Sequence, residues 1–421
     1  MKGENGKMKS DLAQTEIEAP YELPEGWKWC RLGDVADCLD GFRKPINATE
    51  RAGRTGNVPY YGATGQVGWI DDFLTNEELV LLGEDGAPFL DLIKEKAYLI
   101  SGKAWVNNHA HILRSKYGEI GNRYLLNYLN IFNYSGYVNG TTRLKLTQGE
   151  MLKIPFPLPP TLAEQQRIVN RIESMFAKLD EAKEKAQNVV DGFETRKAAI
   201  LHKAFTGELT EKWRKENGVS DDSWVVKTIG EICLVKGGKR VPKGMSLIKE
   251  KNEHPYLKAG NLKFGTVIDK DMEYVPNDVF ILIKNYTVNA GDVYITNVGA
   301  CIGDCGIIPD YYHGASLTEN AVKLTEMICI NSYLAKQMSS NLVQTQIKSK
   351  IKSATLGKLS IDNIKQLKIN FPTIPEQVEI VRILDILIEK ENKANQAAET
   401  VLEQIDLLKK SILARAFRGE L

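Results

Sequence analysis

The chain has 421 residues, with 43% hydrophobic and 26% charged residues and a formal net charge of +1. This is the composition of a soluble globular protein too long for one ordinary core, so two or three domains are expected. No run approaches the roughly 18 consecutive apolar residues of a membrane-spanning helix, and a charge near zero does not of itself point to nucleic acid.

Residues 1–22 open with the polar stretch MKGENGKMKSDLAQTE. It lacks an apolar signal region and reads as a flexible tail, so a cytoplasmic location is expected. A first globular segment follows over residues 23–160, with a strand-like run at Glu78–Gly83, a helix-like run at Asn122–Asn130 and another strand-like run at Lys153–Leu158. Thr147-Gln148-Gly149-Glu150 has the form of a capping box before a short helix. Basic, polar and aromatic residues gather in Gly-rich loops: Arg43, Lys44, Arg54, Tyr60 and Tyr61, then Asn108, then Arg143.

Residues 161–209 carry apolar side chains at Ile168, Ile172, Met175, Leu179, Ala182, Ala186, Val189, Phe193 and Ile200, with Arg196 at the skipped position. Spacing of 3.5 residues with charged flanks is the signature of a coiled coil, here about 60 Å long at 1.5 Å per residue. Residues 210–223 are polar and charged, as linkers are.

A second globular segment, 224–372, has strand-like runs at Val279–Ile283 and Asp292–Thr296 and a helix-like run at Ser332–Ser349. Its loops carry Lys239, Arg240, Lys258 and Asn261, and later Lys350 and Lys352. Pro24–Pro160 holds 15 Lys and Arg against 15 Asp and Glu, whereas Trp224–Pro372 holds 19 against 13, a net of +6. Such side chains supply phosphate contacts and base-edge donors and acceptors. Composition alone weighs this evenly against ordinary solvated loops. Residues 373–421 form the second coiled-coil helix, with seam positions Ile380, Leu384, Leu387, Glu391, Ala394, Ala398, Val401, Ile405, Leu408 and Ile412.

The chain is written twice. ILHKAFTGEL (200–209) and ILARAFRGEL (412–421) lie 212 residues apart, as do Glu164-Gln165 and Glu376-Gln377. WKWCRLGDVADCLDGFRKP (27–45) lies over WVVKTIGEICLVKGGKRVP (224–242) at an offset of 197, which pairs Arg43 with Arg240. A period this long is a duplicated unit rather than a solenoid repeat. The expected fold is α+β: two globular domains with two long antiparallel coiled-coil helices, related by an internal pseudo-two-fold repeat. Gly207 and Gly419 fall where helix C-caps belong.

Catalytic signatures are missing. There is no phosphate loop of G-x-x-x-x-G-K-[ST] form, no dinucleotide fingerprint and no nucleophile–base constellation. VPYYG (58–62) lacks the Asn and first Pro of the N-P-P-Y of amino-methyltransferases. Cys301 and Cys305, and His109 and His111, have ligand-like spacing, but no further ligands accompany them in the sequence, so no metal is assigned.

The stretch NGTTRLKLTQGEMLKIPFPLPPTLAEQQRIV (139–169) resembles the junction sequence of specificity subunits of type I restriction–modification enzymes. Its partial repeat SATLGKLSIDNIKQLKINFPTIPEQVEIV (353–381), the paired helices and the two AFxGEL endings complete the resemblance from Leu23 onward, although Thr-Ile-Pro-Glu-Gln replaces Pro-Pro-Thr-Leu-Ala-Glu-Gln at the second junction. The resemblance implies two target-recognition domains, each reading half of a bipartite double-stranded DNA target. It also implies spacer helices that bind two methyltransferase subunits, with restriction subunits completing the complex. S-adenosylmethionine, ATP and Mg would then belong to those partners, and this chain would be non-catalytic. The alternative from another class is a coiled-coil scaffold that assembles two copies of a partner without touching DNA.

Overall fold

The computed structural model describes residues 19–351 and 357–421. These form two compact units: one of residues up to Gln187 together with Glu399–Leu421, the other of Asn188–Ala398. Each long helix, Leu162–Phe205 and Ile374–Phe417, therefore contributes to both units.

In the first unit a four-stranded antiparallel sheet runs in the order Ala36–Cys38, Ala110–Ser115, Leu79–Gly83, Ala97–Ile100. Leu79–Gly83 is buried along its whole length. Alternation sends Val80 and Leu82 into one core and Leu79 and Leu81 into another, which is why this strand reads as a continuous apolar run. The helix Gly118–Leu129 covers one face through Tyr124, Leu125, Tyr128 and Leu129. On a second sheet, Val58–Gly62 and Lys103–Val106 pair in parallel. Lys28–Arg31 pairs with Pro155–Leu158, closing the segment's start onto its end.

The second unit repeats this plan. Its four-stranded sheet runs Leu234–Gly237, Ala321–Thr325, Val293–Thr296, Cys305–Ile307, and Pro255–Leu257 pairs in parallel with Ser316–Leu317. Val225–Thr228 pairs with Lys368–Phe371. The loop hydrogen bonds match as well. Glu84 N–H donates to His109 C=O (2.8 Å) where Asn297 N–H donates to Asn320 C=O (2.9 Å). Leu146 N–H donates to Glu84 C=O (2.7 Å) where Leu359 N–H donates to Asn297 C=O (2.8 Å). Thr147 and Ser360 both cap short helices, accepting from Glu150 N–H and Asn363 N–H.

The repeated helix ending is a plug. Ala416 and Phe417 insert into the first unit's core, Phe417 meeting Tyr124 and Tyr128 at ring distances of 4.9 and 5.2 Å. Ala204 and Phe205 do the same in the second unit, with Phe205 at 5.4 Å from Tyr333 and beside Ile380 and Leu384. Each helix thus ends in the core of the other repeat's globular segment. Gly419 (φ +74°) stops the second helix in a Schellman turn, with Glu420 N–H donating to Arg415 C=O and Gly419 N–H to Ala416 C=O. Gly207 (φ +88°) takes the same left-handed conformation after the first.

The helices pack antiparallel within each unit. In the first, Ile168, Val169 and Ile172 share a core with Ile412 and Leu413, flanked by ion pairs Lys409–Asp180 (2.6 Å) and Lys183–Asp406 (3.7 Å). In the second, Arg196 at the skipped seam position donates to Glu391 (2.7 Å), so two breaks in the apolar pattern answer each other. Along the first helix, Met175, Leu179, Val189, Phe193 and Ile200 are half-buried. Along the second, Leu387 is half-buried, but Ala394, Val401 and Leu408, taken from the sequence as seam residues, are exposed. Burial recurs instead at Leu384, Ile388, Glu391, Asn395, Ala398, Leu402, Ile405, Lys409 and Ile412. The stripe steps by four where the apolar pattern allowed three, taking in Ile388 and Leu402 but also the polar Asn395 and Lys409.

Two other readings are corrected. Val279–Ile283 lies in a helix, Asn277–Ile283, that buries Val279 and Ile283 one turn apart and exposes Ile281 and Leu282. A five-residue apolar run does not by itself distinguish strand from helix. Ser332–Ser349 is two helices, Asn331–Ser339 and Asn341–Lys350, broken at the extended residue Ser340.

The polar stretch 210–223 contains a helix, Glu211–Asn217. It is tied down by Arg214, whose Nη1 donates to the fully buried Glu376 (2.7 Å). Trp224 Nε1 and Thr210 Oγ1 donate to the same carboxylate oxygen at 3.0 and 2.7 Å. Gln377 accepts from Ile330 N–H and donates to Pro372 C=O, which gives the second Glu-Gln pair a structural role.

Candidate nucleic-acid interface

In each unit the chain turns sharply after the parallel strand pair. Asn107 N–H donates to Tyr61 C=O (3.1 Å), and Asn107 Oδ1 accepts from His109 N–H (2.8 Å). In the second unit Thr318 N–H donates to Leu257 C=O (3.1 Å), and Thr318 Oγ1 accepts from Asn320 N–H (3.4 Å). Asn107-Asn108-His109 and Thr318-Glu319-Asn320 are therefore the same turn. The incoming loops lie beside it: Lys44 N–H donates to Val106 C=O (3.2 Å) and Lys239 N–H to Leu317 C=O (2.8 Å).

That match makes Lys44 and Lys239 counterparts, so the sequence pairing of Arg43 with Arg240 is out by two. The short 3₁₀ turn Asp40–Phe42 accounts for the extra residues in the first unit. Their environments differ accordingly. Arg43 is turned inward (17% exposed), pairs with Asp40 (3.0 Å) and Glu84, and donates to Ala110 C=O (3.2 Å). It braces the turn and is withdrawn as a surface contact. Arg240 is 79% exposed and donates to Glu319 (2.6 Å).

The other sequence candidates divide in the same way. Tyr60 is 1% exposed and belongs to the core with Ile46, Val58, Ile70 and Trp105. Asn261, also 1% exposed, donates to Ile268 and Lys270 C=O and accepts from Lys258 N–H, so it holds a loop together. Neither is a surface reader, since each polar group already has an internal task. Tyr61 is half-buried against Tyr98. Arg54 pairs with Asp71 (2.6 Å) over the Trp105 ring (4.7 Å). Lys44 is exposed near the same ring, and Asn108 is exposed at the turn.

Arg143 is 60% exposed and pairs with Asp85 (2.8 Å), which also meets His109 Nδ1 (2.6 Å). Lys239 is exposed beside Tyr286, and Lys258 pairs with Glu273 (2.8 Å). Lys350 is half-buried near Gln366 at the end of its helix. Lys352 lies outside the described residues.

In the second unit Arg240 and Lys258 join Lys243, Tyr256, Thr318 and Glu319 around an open cleft of about 730 Å³. Sequence reading missed Glu319. The turn equivalence with Asn108 is the signal that finds Glu319. In the first unit a buried network underlies the turn: Asp40 meets His111 Nδ1 (2.6 Å) and accepts from Ile112 N–H (2.9 Å), and His111 Nε2 meets Leu146 C=O (2.9 Å). Burial pushes the carboxyls of Asp40 and Glu84 up. The charges and donors of His111 and Arg43 outweigh it and leave both below their ordinary range.

Cys38 joins Asp40 and His111 within ligand-like distances, 4.8 Å or less. Both His111 nitrogens already face oxygen partners, and burial pushes the Cys38 thiol up to about 11, so the group fits a hydrogen-bonded core better than a metal.

The family model for the type I restriction modification DNA specificity domain matches residues 24–190 and again residues 221–404. The chain belongs to this family. A putative type I restriction enzyme specificity subunit of Haemophilus influenzae is 27% identical over 382 residues, covering 90% of this chain and 91% of the relative. The EcoBI specificity subunit of Escherichia coli is 24% identical, covering 98% and 90%. The HsdS subunit of Thermoanaerobacter tengcongensis shares the fold, with a TM-score of 0.65 at 18% identity over 96% of this chain and all of that one. This specificity-family chain therefore carries two specificity domains, matching its duplicated architecture. No helix among its described residues is long and apolar enough to cross a membrane.

Proposed function

We propose that this specificity subunit reads a bipartite, asymmetric double-stranded DNA target, each globular segment reading one half. The observation that carries the reading is the pair of equivalent turns, Asn107–His109 and Thr318–Asn320, which present different side chains on one backbone plan. Exposed cations beside them, Lys44 and Arg143 in one unit and Lys239 and Arg240 in the other, suit phosphate contacts. The long helices dock two methyltransferase subunits, and restriction subunits complete the assembly in the cytoplasm. The chain itself is non-catalytic, and S-adenosylmethionine, ATP and Mg reside on the partners.

The test is to exchange Pro24–Pro160 for the corresponding segment of a relative and map methylated sites in cells. One half-site changes and the other stays. Simultaneous change of both halves, or turnover by the pure subunit, would overturn the reading. Assembly with partners that is insensitive to DNA and salt would favour the coiled-coil scaffold instead, because phosphate contacts make binding fall steeply with salt.

A further inference from the structure

We infer that Glu319 reads a base bearing an exocyclic amine, cytosine at N4 or adenine at N6, and that Asn108 holds the same reading position in the first globular segment. The inference rests on the proposal that these turns face DNA, and it names the residue and the base chemistry.

The position is defined by hydrogen bonds on both sides. The residue before it closes the parallel strand pair (Asn107 to Tyr61, Thr318 to Leu257), and the residue after it accepts from the neighbouring strand end (His109 from Glu84, Asn320 from Asn297). In both turns the preceding side chain caps the backbone. The central side chain is thereby relieved of any backbone task. Asn108 is exposed, and its side chain makes no hydrogen bond among the described residues.

Glu319 lines the cleft of about 730 Å³. It accepts from Arg240 Nε (2.6 Å), Tyr256 Oη (3.3 Å) and Thr318 Oγ1 (3.2 Å). Burial pushes its carboxyl up, but Arg240 and the turn backbone outweigh that and hold it below the ordinary range. It is therefore a pure acceptor at neutral pH. The cleft is also lined by Arg240 and Lys243 and by Lys258, which Glu273 neutralises (2.8 Å), and a carboxylate placed there repels phosphate and suits a donor. In the major groove the base-edge donors are the amines of cytosine and adenine, whereas guanine and thymine present acceptors at the equivalent place. Asn108, with both a donor and an acceptor, matches adenine at N6 and N7.

A purely structural Glu319 would brace Arg240, yet Arg240 is 79% exposed and needs no buried counterion. The two roles separate in an experiment on the subunit assembled with its methyltransferase partner. Binding is measured for duplexes scanned across the second half-site, including purine in place of adenine and 2-pyrimidinone in place of cytosine. The wild type loses roughly tenfold to a hundredfold at one position when the amine is removed. Glu319→Gln, whose amide also donates, no longer excludes guanine or thymine there, and the first half-site is unaffected. Glu319→Arg moves the preference to guanine at that position.

If Glu319→Gln weakens all duplexes alike, or keeps the wild-type discrimination, Glu319 is not a reader. Should the variants fail to fold by circular dichroism, the wild type alone still decides, since an amine-independent second half-site overturns the inference. A wild-type assembly with no sequence preference anywhere would instead defeat the underlying DNA reading.

Discussion

The two turn clusters share a backbone and are held by opposite means. Under the first turn lie Asp40, Glu84 and His111, linked to one another and to Arg43, and beside them Asp85, paired with His109 and Arg143. The pairing registers place Gly237, Asn297, Val298 and Val322 at the four matching positions of the second unit. The geometry therefore comes from the sheet and loop hydrogen bonds, and the ionic network is one of at least two ways to fill the space beneath. The same exchange bears on charge. Carboxylates engage the cations of the neutral first segment from within, and the second segment, lacking several of them, keeps its net +6.

The largest contrast concerns the repeated Glu-Gln pair. Glu376 is fully buried and bonded to Arg214, whereas Glu164 forms a half-exposed pair with Arg167 within one helical turn. Glu376→Ala is expected to cost about 3–5 kcal/mol, because it removes the buried carboxylate of the Arg214 guanidinium and leaves that group paired with the exposed Asp221. Glu164→Ala is expected to cost at most about 1 kcal/mol. Thermal unfolding of both variants checks this, and equal losses would break the contrast.

An intermediate effect is expected from importing the second unit's residue into the first. His111→Val leaves Asp40 and Leu146 C=O without their shared partner and should cost about 1–3 kcal/mol. Adding Asp40→Asn should recover part of that loss, and a double-mutant cycle measures the coupling. Simple additivity would mean the network does not act as a unit.

Acid sharpens the same comparison. Asp40 and Glu84 sit below their ordinary range when folded, so their stabilisation is fully present above the unfolded carboxylate values near 4 and is lost as pH falls through the folded ones. Hydrogen exchange at decreasing pH should show Ala110–Ser115 losing protection before Ala321–Thr325. The opposite order would show that the network does not govern the first unit's acid response.

The smallest effect tests the seam: Val401→Lys should change stability by less than about 0.5 kcal/mol, whereas Ile405→Lys should unfold the pairing. Equal costs would restore the seam read from the sequence.

Much of the architecture was legible because duplication leaves marks that do not depend on detailed packing. The AFxGEL endings, the Glu-Gln pairs, Thr147 and Ser360 as caps, and Arg196 opposite Glu391 all found structural counterparts. Direction within a loop was not legible. Arg43 and Arg240 align in sequence, but a two-residue shift in register at the 3₁₀ turn Asp40–Phe42 turns one inward and leaves the other outside. Tyr60 and Asn261 have the composition of surface readers, yet strand pleat and loop closure bury them. Glu319, proposed above as a reader, was passed over because an acidic residue carries no such signal in the sequence until its turn is matched to that of Asn108.

The exchanged helix endings bear on the order in which the protein is made. On the ribosome the first globular segment emerges early, but Ile412, Leu413, Ala416 and Phe417, which complete its core, are synthesised only after the whole second repeat. The second segment waits for nothing comparable, since Ala204 and Phe205 precede it along the chain. Domains that appear N-terminal first commonly fold in that order during translation. Here the second segment is the first able to close its core, and the first stays open at the Phe417 site until the second repeat has been made.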